Sequence, residues 1–474
     1  MPRLPTEHER HLYRQSIAKI ANGYLFPNDV TDKQAVKINL VARSVERDES
    51  AKIRSLINAG RVRDARRMQR KYIAKFACKL VAAQKNTKPA KNGNPSRFVT
   101  AHSHATLIGF QASPGELRLM KKEKAGGGTR IIGNFNQTDK AQQKLLANAI
   151  KPFFGDHPGQ YGTRGRDFAV ETLRQHVEMM GPETVFLHAD ITQFYDQVSH
   201  EWLRKNTPLP SSMIDWVLPS GYTITPMATR RQALRITEEE IESMAQRGLP
   251  QGSALSPCVA EIVIADIISD LGDSLRYPLV NYSDNFGLVV PAETALRLGQ
   301  SLRERLRSHP AGPFELRVTI TPVTEECRFM GYSFCLKPDG NCDFWVRETD
   351  WRDRFGFHSD RLQNCTPERV DHELKRMQSY INAWPAWSGR TGLQAMWRDH
   401  AKSICEDRGF TNLAEQLSEG DSEPLISTLT CEHDLIEQYH ATQAEQSFVI
   451  VAGSRVRIRR RSSQSGNVCP APWV

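Results

Sequence analysis

The chain has 474 residues, of which 39% are hydrophobic and 25% charged. This composition excludes a disordered chain and allows a sizeable core. It contains no run of 18 or more apolar residues and does not begin with an apolar segment. We therefore expect neither a membrane span nor a secretory signal. Nine cysteines without a CxxC pair predict reduced thiols, a cytoplasmic location and no zinc site.

Positive charge is concentrated near the N-terminus. Residues 1–100 carry a net charge of +14, whereas the remaining residues carry −5. Residues 31–58 predict one helix, and residues 61–83 predict a second in which apolar side chains recur every three or four positions. Cations, among them Arg66 and Arg70, cover much of the rest of that second helix. This pattern predicts phosphate contacts with a nucleic acid, and a solvated helix face is the alternative.

A glycine-rich turn between two strands follows at residues 117–132. Lys124 and Arg130 flank the glycines of this turn. Such a ribbon can fold over a triphosphate, because glycines allow close approach and the cations meet the negative charge. An ordinary basic hairpin is the alternative. Helices are predicted next over residues 138–154, with Thr138 as the N-cap, and over residues 167–180.

Two carboxylates occur where apolar strands end. A strand over residues 184–189 leads to Asp190, and a hairpin over residues 278–290 carries Asp284 and Asn285 at its tip. Two such carboxylates can hold two divalent ions, which stabilise the attacking and leaving oxygens of an in-line phosphoryl transfer. Mg²⁺ suits this role, since it uses few protein carboxylates together with substrate phosphates. For the hairpin alone, plain turn chemistry is the competing interpretation.

A loop of glycine, proline and serine at residues 247–257 precedes a long apolar helix. Ser253 or Ser256 is expected to cap that helix. Gln251 and its small neighbours would let a backbone or a base pair approach closely. Further along, residues 366–410 predict helices, with Trp384 and Trp387 expected in a core rather than as platforms for bases. The arginine-rich tail is expected to be either a disordered RNA contact or a solubilising end.

Taken together, the segments DITQFYD, GLPQGSALSP and YSDN resemble the palm signatures of the reverse transcriptases in order and spacing. The run KAGGGTR is similar to the fingers ribbon of these enzymes, and YGTRGRDFAV to their next block. Residues 326–334 resemble the hairpin that grips the primer. The basic helix at 61–83 resembles the N-terminal extension of group II intron-type members. The resemblance is therefore to bacterial group II intron-type and defence-associated reverse transcriptases.

The resemblance implies an α+β, right-hand polymerase fold. A basic helical N-terminal extension is expected over residues 1–98. Fingers and a palm with an antiparallel sheet are expected over residues 99–335. A helical thumb and the arginine-rich tail would occupy residues 336–474.

The same resemblance implies an activity and its partners. The protein would be an RNA-directed DNA polymerase that transfers dNTPs onto a primer 3′-OH by two-metal chemistry, with Mg²⁺ or Mn²⁺ as the cofactor. Its partners would be an RNA template and a DNA or RNA primer, with a cognate structured RNA as a further candidate.

Roles of individual residues follow only from matching positions. Asp190 and Asp284 would be catalytic. The implied metal ligands are Asp190, Asp284 and Ile191. The implied nucleotide-binding residues are Lys124, Arg130, Tyr195 and Gln251, with Tyr195 as a steric gate against a ribose 2′-OH. The implied contacts to primer and template are Gly252, Phe329, Met330, Gly331, Tyr332, Arg66 and Arg70.

Two departures from the family pattern bear on the chemistry. The family usually has Asp-Asp at the hairpin tip, whereas the second position here is Asn285. An amide is neutral and offers one oxygen, so the site loses a negative charge and a potential ligand. A weaker Mg²⁺ site or a preference for Mn²⁺ is expected. The family often has a lysine near the leaving pyrophosphate, and here Arg317 is the candidate substitute.

Three other interpretations stay open at this point. The first is a defence or abortive-infection enzyme that makes DNA without a template. The second is an RNA-dependent RNA polymerase, which Tyr195 disfavours. The third is a non-catalytic, maturase-like RNA-binding protein that retains the fold.

Overall fold

The structure is a computed structural model of the chain. It describes residues 7–86, 97–123, 128–154, 157, 159–162, 164–229, 234–271, 277–384, 390–419, 449–452 and 455–458.

The N-terminal part is helical. Its five helices are α1 (Glu7–Ala21), α2 (Asp32–Asn58), α3 (Val62–Ala74), α4 (Phe76–Asn86) and α5 (Arg97–Leu107). The helix predicted over residues 31–58 is confirmed, and Thr31 caps it in a reciprocal pair of hydrogen bonds with Gln34. The single helix predicted over residues 61–83 is wrong. Lys75 adopts an extended backbone conformation there and separates α3 from α4.

Lys75, at the break, makes a tertiary contact. Its ammonium group pairs with the buried carboxylate of Glu49 on α2 at 2.8 Å. Beyond the break, α4 is buried along most of its length. It packs against α2, α5 and the helix α6 at Gln137–Ile150. The apolar stripe of α3 faces inward, while Arg66 and Arg70 are exposed. The sequence pattern is continuous across the break, so only the packing reveals it.

The predicted ribbon is confirmed as two antiparallel strands, β1 (Glu116–Glu123) and β2 (Thr129–Asn134). Residues 124–127 of its turn, including Lys124, lie outside the described residues. The next helix, α6 (Gln137–Ile150), begins earlier than predicted. Its N-cap is Asn136, whose Oδ1 accepts from the N–H of Asp139 at 2.7 Å, so the expectation of Thr138 as the cap is wrong. Asparagine is among the strongest N-cap residues, which accounts for the earlier start.

A four-stranded antiparallel sheet forms the centre of the molecule. Its strands, in the order β5–β6–β3–β7, are β3 (Thr184–Ile191), β5 (Leu279–Tyr282), β6 (Asn285–Pro291) and β7 (Leu316–Pro322). The strand and the hairpin expected here are confirmed. Helix α7 (Arg166–Met180) packs against β5 and β6, and α12 (Ala292–Ser308) packs against β3, β6 and β7. Alternate residues of β3 therefore enter two different cores, Leu187 in one and Phe186 in the other.

Further elements lie between β3 and β5 in the chain. These are α8 (Phe194–Gln197), α9 (His200–Asn206), β4 (Thr223–Pro226), α10 (Glu238–Gln246) and α11 (Ser256–Leu271). Strand β4 pairs in parallel with β1 and extends the ribbon to three strands. Helix α11 is the apolar helix predicted after the loop, and most of its residues are buried.

A second antiparallel sheet follows the central one. It consists of β8 (Cys327–Phe329), β9 (Tyr332–Leu336) and β10 (Cys342–Trp345). The first two strands are the hairpin expected at residues 326–334. The third strand carries the sheet beyond residue 335, and it packs against α7, where the N–H of Cys342 donates to Glu178 at 3.1 Å.

The C-terminal part is mainly helical. Its elements are α13 (Glu348–Asn364), α14 (Val370–Asn382), α15 (Arg390–Asp407), α16 (Thr411–Glu419), β11 (Val449–Ala452) and β12 (Arg455–Ile458). Trp384 is 7% exposed, which confirms its expected place in a core, whereas Trp387 lies outside the described residues. The first arginines of the tail lie in β12. No helix in the described ranges combines the length and apolar character needed to cross a membrane.

Candidate active site

The central sheet brings the two predicted carboxylates together. Asp190 lies near the end of β3, where it is directly opposite Asn285 of β6 and Arg317 of β7. The N–H of Ile191 donates to the carbonyl oxygen of Asp284 at 3.1 Å. Cα atoms of directly opposed residues in antiparallel strands are about 4.5–5.5 Å apart. Asp190 and Asp284 therefore lie at the same end of one sheet.

The turn that carries Asp284 is held by a residue that the sequence did not identify. Asn281 is fully buried on β5, and its Nδ2 donates to the carbonyl oxygens of Ser283 at 2.9 Å and Asn285 at 3.0 Å. Ser283 adopts a left-handed conformation with φ of 57°. A non-glycine residue in this region costs about 1 kcal/mol or more, and the two hydrogen bonds from Asn281 offset that strain. These hydrogen bonds fix the backbone on both sides of Asp284.

Burial governs the charge of Asp284. Removal from water raises the pKa of its carboxyl, and hydrogen bonds from its own N–H, Ser283 and Asn285 lower it in part. Asn285 Nδ2 donates to Asp284 Oδ1 at 3.2 Å. A bound cation would favour the ionised form further.

The set of donors fits a hard divalent cation. Across the described ranges, no group of three or more Cys, His, Asp or Glu side chains is placed to hold a metal ion. The site thus offers two carboxylates, Asp190 and Asp284. A cation such as Mg²⁺ that keeps several waters and takes oxygens from a substrate needs no more than this.

Tyr195 lies within electrostatic reach of Asp284. It is half-buried on the short helix α8, and its ring contacts Phe194 edge-on with centroids 5.8 Å apart. Burial, together with the negative charges of Asp284 and Glu261, raises the pKa of Tyr195 to about 12. The hydroxyl therefore stays protonated at neutral pH, and the ring lies within electrostatic reach of Asp284.

Glu261 is a second residue that the sequence did not identify. It is half-buried on α11, and its carboxylate accepts from Gln160 Nε2 at 2.5 Å. A Cβ at Gly162 would displace this carboxylate from its present position. The only sequence signal was a glutamate within an apolar helix.

The loop before α11 ties the ribbon to the Tyr195 segment. The N–H of Leu249 donates to the carbonyl oxygen of Tyr195 at 2.7 Å, and the N–H of Gly133 on β2 donates to the carbonyl oxygen of Gln251 at 2.7 Å. Gly252 has φ of +97°, and a Cβ there would collide with the backbone of Gly133.

Of the two candidate caps of α11, Ser253 accepts hydrogen bonds from backbone N–H groups at the start of the helix. The side chain of Gln251 is half-buried.

Other predicted residues lie on separate surfaces. Arg130 is exposed on β2, opposite Lys122 of β1. In the hairpin at residues 326–334, Phe329 and Tyr332 are each 1% exposed, and the Tyr332 hydroxyl donates to Asp167 at 2.8 Å. Their rings are therefore buried in the core, and of the four residues predicted here to contact the primer, Met330 and Gly331 at the turn are the accessible ones. Arg328 of the same hairpin is also exposed.

Arg66 and Arg70 lie on the exposed face of α3. Asp64, on the same helix, pairs with Arg61 at 2.8 Å and with Arg67 at 3.1 Å. On the opposite face, Gln69 Nε2 donates to the carbonyl oxygens of Ala149 and Pro208, which fixes the helix to the body. The cations of α3 thus project from a helix that is firmly attached.

Residues 121–334 match the family described as reverse transcriptase (RNA-dependent DNA polymerase). No curated protein matches the chain. Among solved structures, the chain is similar to a telomerase from Candida albicans in complex with a fragment of telomeric RNA, with 10% identity and a TM-score of 0.32, over 66% of this chain and 68% of that one.

It is also similar to an apo telomerase from Candida tropicalis truncated from its C-terminal domain. The identity is 13% and the TM-score 0.30, over 49% of this chain and 55% of that one. The segment matched by the family spans both predicted carboxylates, Tyr195 and the loop before α11. Residues 121–334 therefore match a reverse transcriptase domain, and the described chain around them combines helices with small sheets.

Proposed function

We propose that the protein is an RNA-directed DNA polymerase that adds deoxynucleotides to the 3′-OH of a primer. The observation that carries this proposal is that Asp190 and Asp284 lie at one end of the central sheet, with Tyr195 within electrostatic reach of Asp284. In this proposal, residues 1–98 are an RNA-binding extension, residues 99–335 are fingers and palm, and residues 336–474 include the thumb.

Asp190 and Asp284 would hold Mg²⁺ or Mn²⁺, with the backbone at Ile191 as a further ligand. When bound, two such ions stabilise the charge on the attacking and leaving oxygens. The chain's own residues would bind and orient the substrates. Lys124 and Arg130 would contact the triphosphate, and the ring of Tyr195 would exclude a 2′-OH.

The remaining contacts belong to the template and primer. The loop at Gln251 and Gly252, fixed against β2, would support the template or the incoming pair. The turn at Met330 and Gly331 would contact the primer. Arg317, directly opposite Asp190 on β7, would contact the leaving pyrophosphate in place of the lysine that the family often has.

A primer-extension assay tests the proposal. Purified protein receives a primed RNA template or primer alone, with dNTPs or NTPs, and with Mg²⁺ or Mn²⁺. We expect DNA product that requires the RNA template. Product from primer alone would instead support a template-independent enzyme of the defence type. No product with either metal, together with intact RNA binding, would support a non-catalytic RNA-binding protein.

The exposed face of α3 gives a separate prediction about RNA binding. Replacing both Arg66 and Arg70 with alanine is expected to reduce the slope of log K against log salt by about 0.7–0.9 per lost phosphate contact. Filter binding or fluorescence anisotropy at several salt concentrations measures this slope. The matched control is the double replacement of Arg67 and of Arg61, the N-cap residue of α3. It removes the same charge from the same region, but only from groups paired with Asp64. Equal slopes for both double variants would show that α3 contributes only its net charge.

A further inference from the structure

His188 is held in a single orientation next to the candidate active site. It lies two residues before Asp190 on β3, so both side chains are on the same face of the sheet. Its ring stacks on Phe186, with centroids 6.0 Å apart and an interplanar angle of 13°, and meets the edge of Phe329 at 5.6 Å and 90°. Gly287 is directly opposite His188, and a Cβ there would lie 3.0 Å from the ring of Phe186.

A chain of hydrogen bonds connects His188 to Asp284. The Nε2 atom of His188 is 3.0 Å from Asn285 Oδ1, and Asn285 Nδ2 donates to Asp284 Oδ1 at 3.2 Å. An ionised carboxylate can only accept, so the amide must direct its NH₂ group toward Asp284. Its oxygen is then left to accept from the imidazole N–H. The contacts of Asn285 determine both the amide orientation and the imidazole tautomer.

This arrangement gives Asn285 a role other than that of a metal ligand. Its single oxygen is engaged by His188, and its NH₂ group is engaged by Asp284. The backbone on either side is equally constrained, because Asn281 binds the carbonyl oxygens of Ser283 and Asn285. One oxygen of Asp284 is therefore oriented by a donor, and the carboxylate has a defined direction before any cation arrives.

We propose that His188 is a positioning residue that acts through the amide of Asn285 to orient the carboxylate of Asp284 for metal binding. The inference rests on the proposed function, since it concerns the same site. It assigns the metal-binding role to Asp190 and Asp284 and gives Asn285 the role of an outer hydrogen-bond donor. Partners of this kind orient metal-binding groups, and their loss typically costs about 10- to 100-fold in metal affinity or activity.

Three single variants separate this role from simple packing. His188→Phe keeps a ring between Phe186 and Phe329 but removes the N–H donor. Asn285→Ala removes the amide that transmits the effect. His188→Gln retains a side-chain N–H donor and serves as the rescue variant. The fourth protein is the double variant of His188→Phe and Asn285→Ala.

Binding of Mn²⁺ to the full-length proteins, followed by electron paramagnetic resonance without nucleotide or nucleic acid, is the main measurement. We expect His188→Phe and Asn285→Ala each to weaken Mn²⁺ binding by about 10-fold. The double variant should bind Mn²⁺ as tightly as the single variant that has the lower Mn²⁺ affinity. The two losses should not add, because both changes interrupt one chain of hydrogen bonds. His188→Gln should bind Mn²⁺ within about threefold of the unchanged protein, since it keeps the donor.

Other outcomes have distinct meanings. Unchanged Mn²⁺ affinity in His188→Phe, or additive losses in the double variant, would overturn the positioning role. Thermal unfolding of each variant checks the fold, and His188→Gln keeps the test decisive if the phenylalanine variant loses stability. If the wild-type protein neither bound Mn²⁺ nor extended a primer, the proposed function itself would be refuted.

Discussion

Asp190→Asn is expected to abolish RNA-templated primer extension, with a loss of at least about 10³-fold in the rate of nucleotide addition. Metal ions supply several kcal/mol of stabilisation to the charge that develops in phosphoryl transfer, and each 1.4 kcal/mol changes a rate about tenfold. Asparagine has nearly the volume of aspartate but lacks its charge. The loss should therefore come from the chemistry rather than from the packing of β3. Single-turnover extension of a primed RNA template measures the rate.

Asp196→Asn is the matched control for this variant. Asp196 is an exposed residue on α8, six positions after Asp190 in the same sequence motif. The same chemical change at that position should leave the rate within about threefold of the unchanged protein, as expected for a surface substitution. If Asp190→Asn retained a tenth or more of the activity, Asp190 would not be a metal ligand in the reaction.

Tyr195→Ala is expected to increase the use of ribonucleotides. The ring is half-buried, within electrostatic reach of Asp284, and contacts Phe194, so its removal opens space beside Asp284. In the proposed function this space is where the ring excludes a ribose 2′-OH. We expect the ratio of kcat/KM for a dNTP to that for the matching NTP to fall by about 10- to 100-fold. Steady-state extension by a single nucleotide, measured separately with each substrate, gives this ratio.

Tyr195→Phe distinguishes the ring from its hydroxyl. The pKa of Tyr195 is raised to about 12, so the hydroxyl is uncharged at neutral pH and contributes no negative charge to the site. If the bulk of the ring is what excludes a 2′-OH, the phenylalanine variant should keep the discrimination of the unchanged protein. Equal sugar discrimination in the alanine variant and the unchanged protein would remove Tyr195 as the gate.

Much of the architecture was predictable from local patterns. Alternating and continuous apolar runs predicted β3, the hairpin of β5 and β6, and the ribbon of β1 and β2. These predictions succeed because strand periodicity and turn residues act over a few neighbouring positions. The apolar stripe of α3 likewise predicted which of its cations face outward.

Boundaries that depend on distant partners were not predictable in the same way. Apolar residues keep their helical spacing on both sides of Lys75, yet the helix breaks there. Lys75 pairs at this point with Glu49 of α2. Strand β10 is only four residues long, and its place beside β9 depends on packing against α7. The cap at Asn136 was a local signal, but Thr138 offered a competing one.

For the candidate active site, the sequence by itself indicated which residues we propose to carry the chemistry. Asp190 and Asp284 were visible as carboxylates at the ends of apolar strands, and Tyr195 was indicated by the resemblance to the reverse transcriptases. The sequence also located the unusual residue Asn285, and it left open whether that residue costs the site a metal ligand.

Only the tertiary structure decided how those residues are held. His188 and Asn285 are 97 positions apart in the chain, and the antiparallel register of β3 and β6 brings them within hydrogen-bonding distance. Asn281 and Glu261 reach the same region from a buried strand and an apolar helix. Hydrogen bonds between distant segments depend on strand register and helix packing, and no local pattern encodes them.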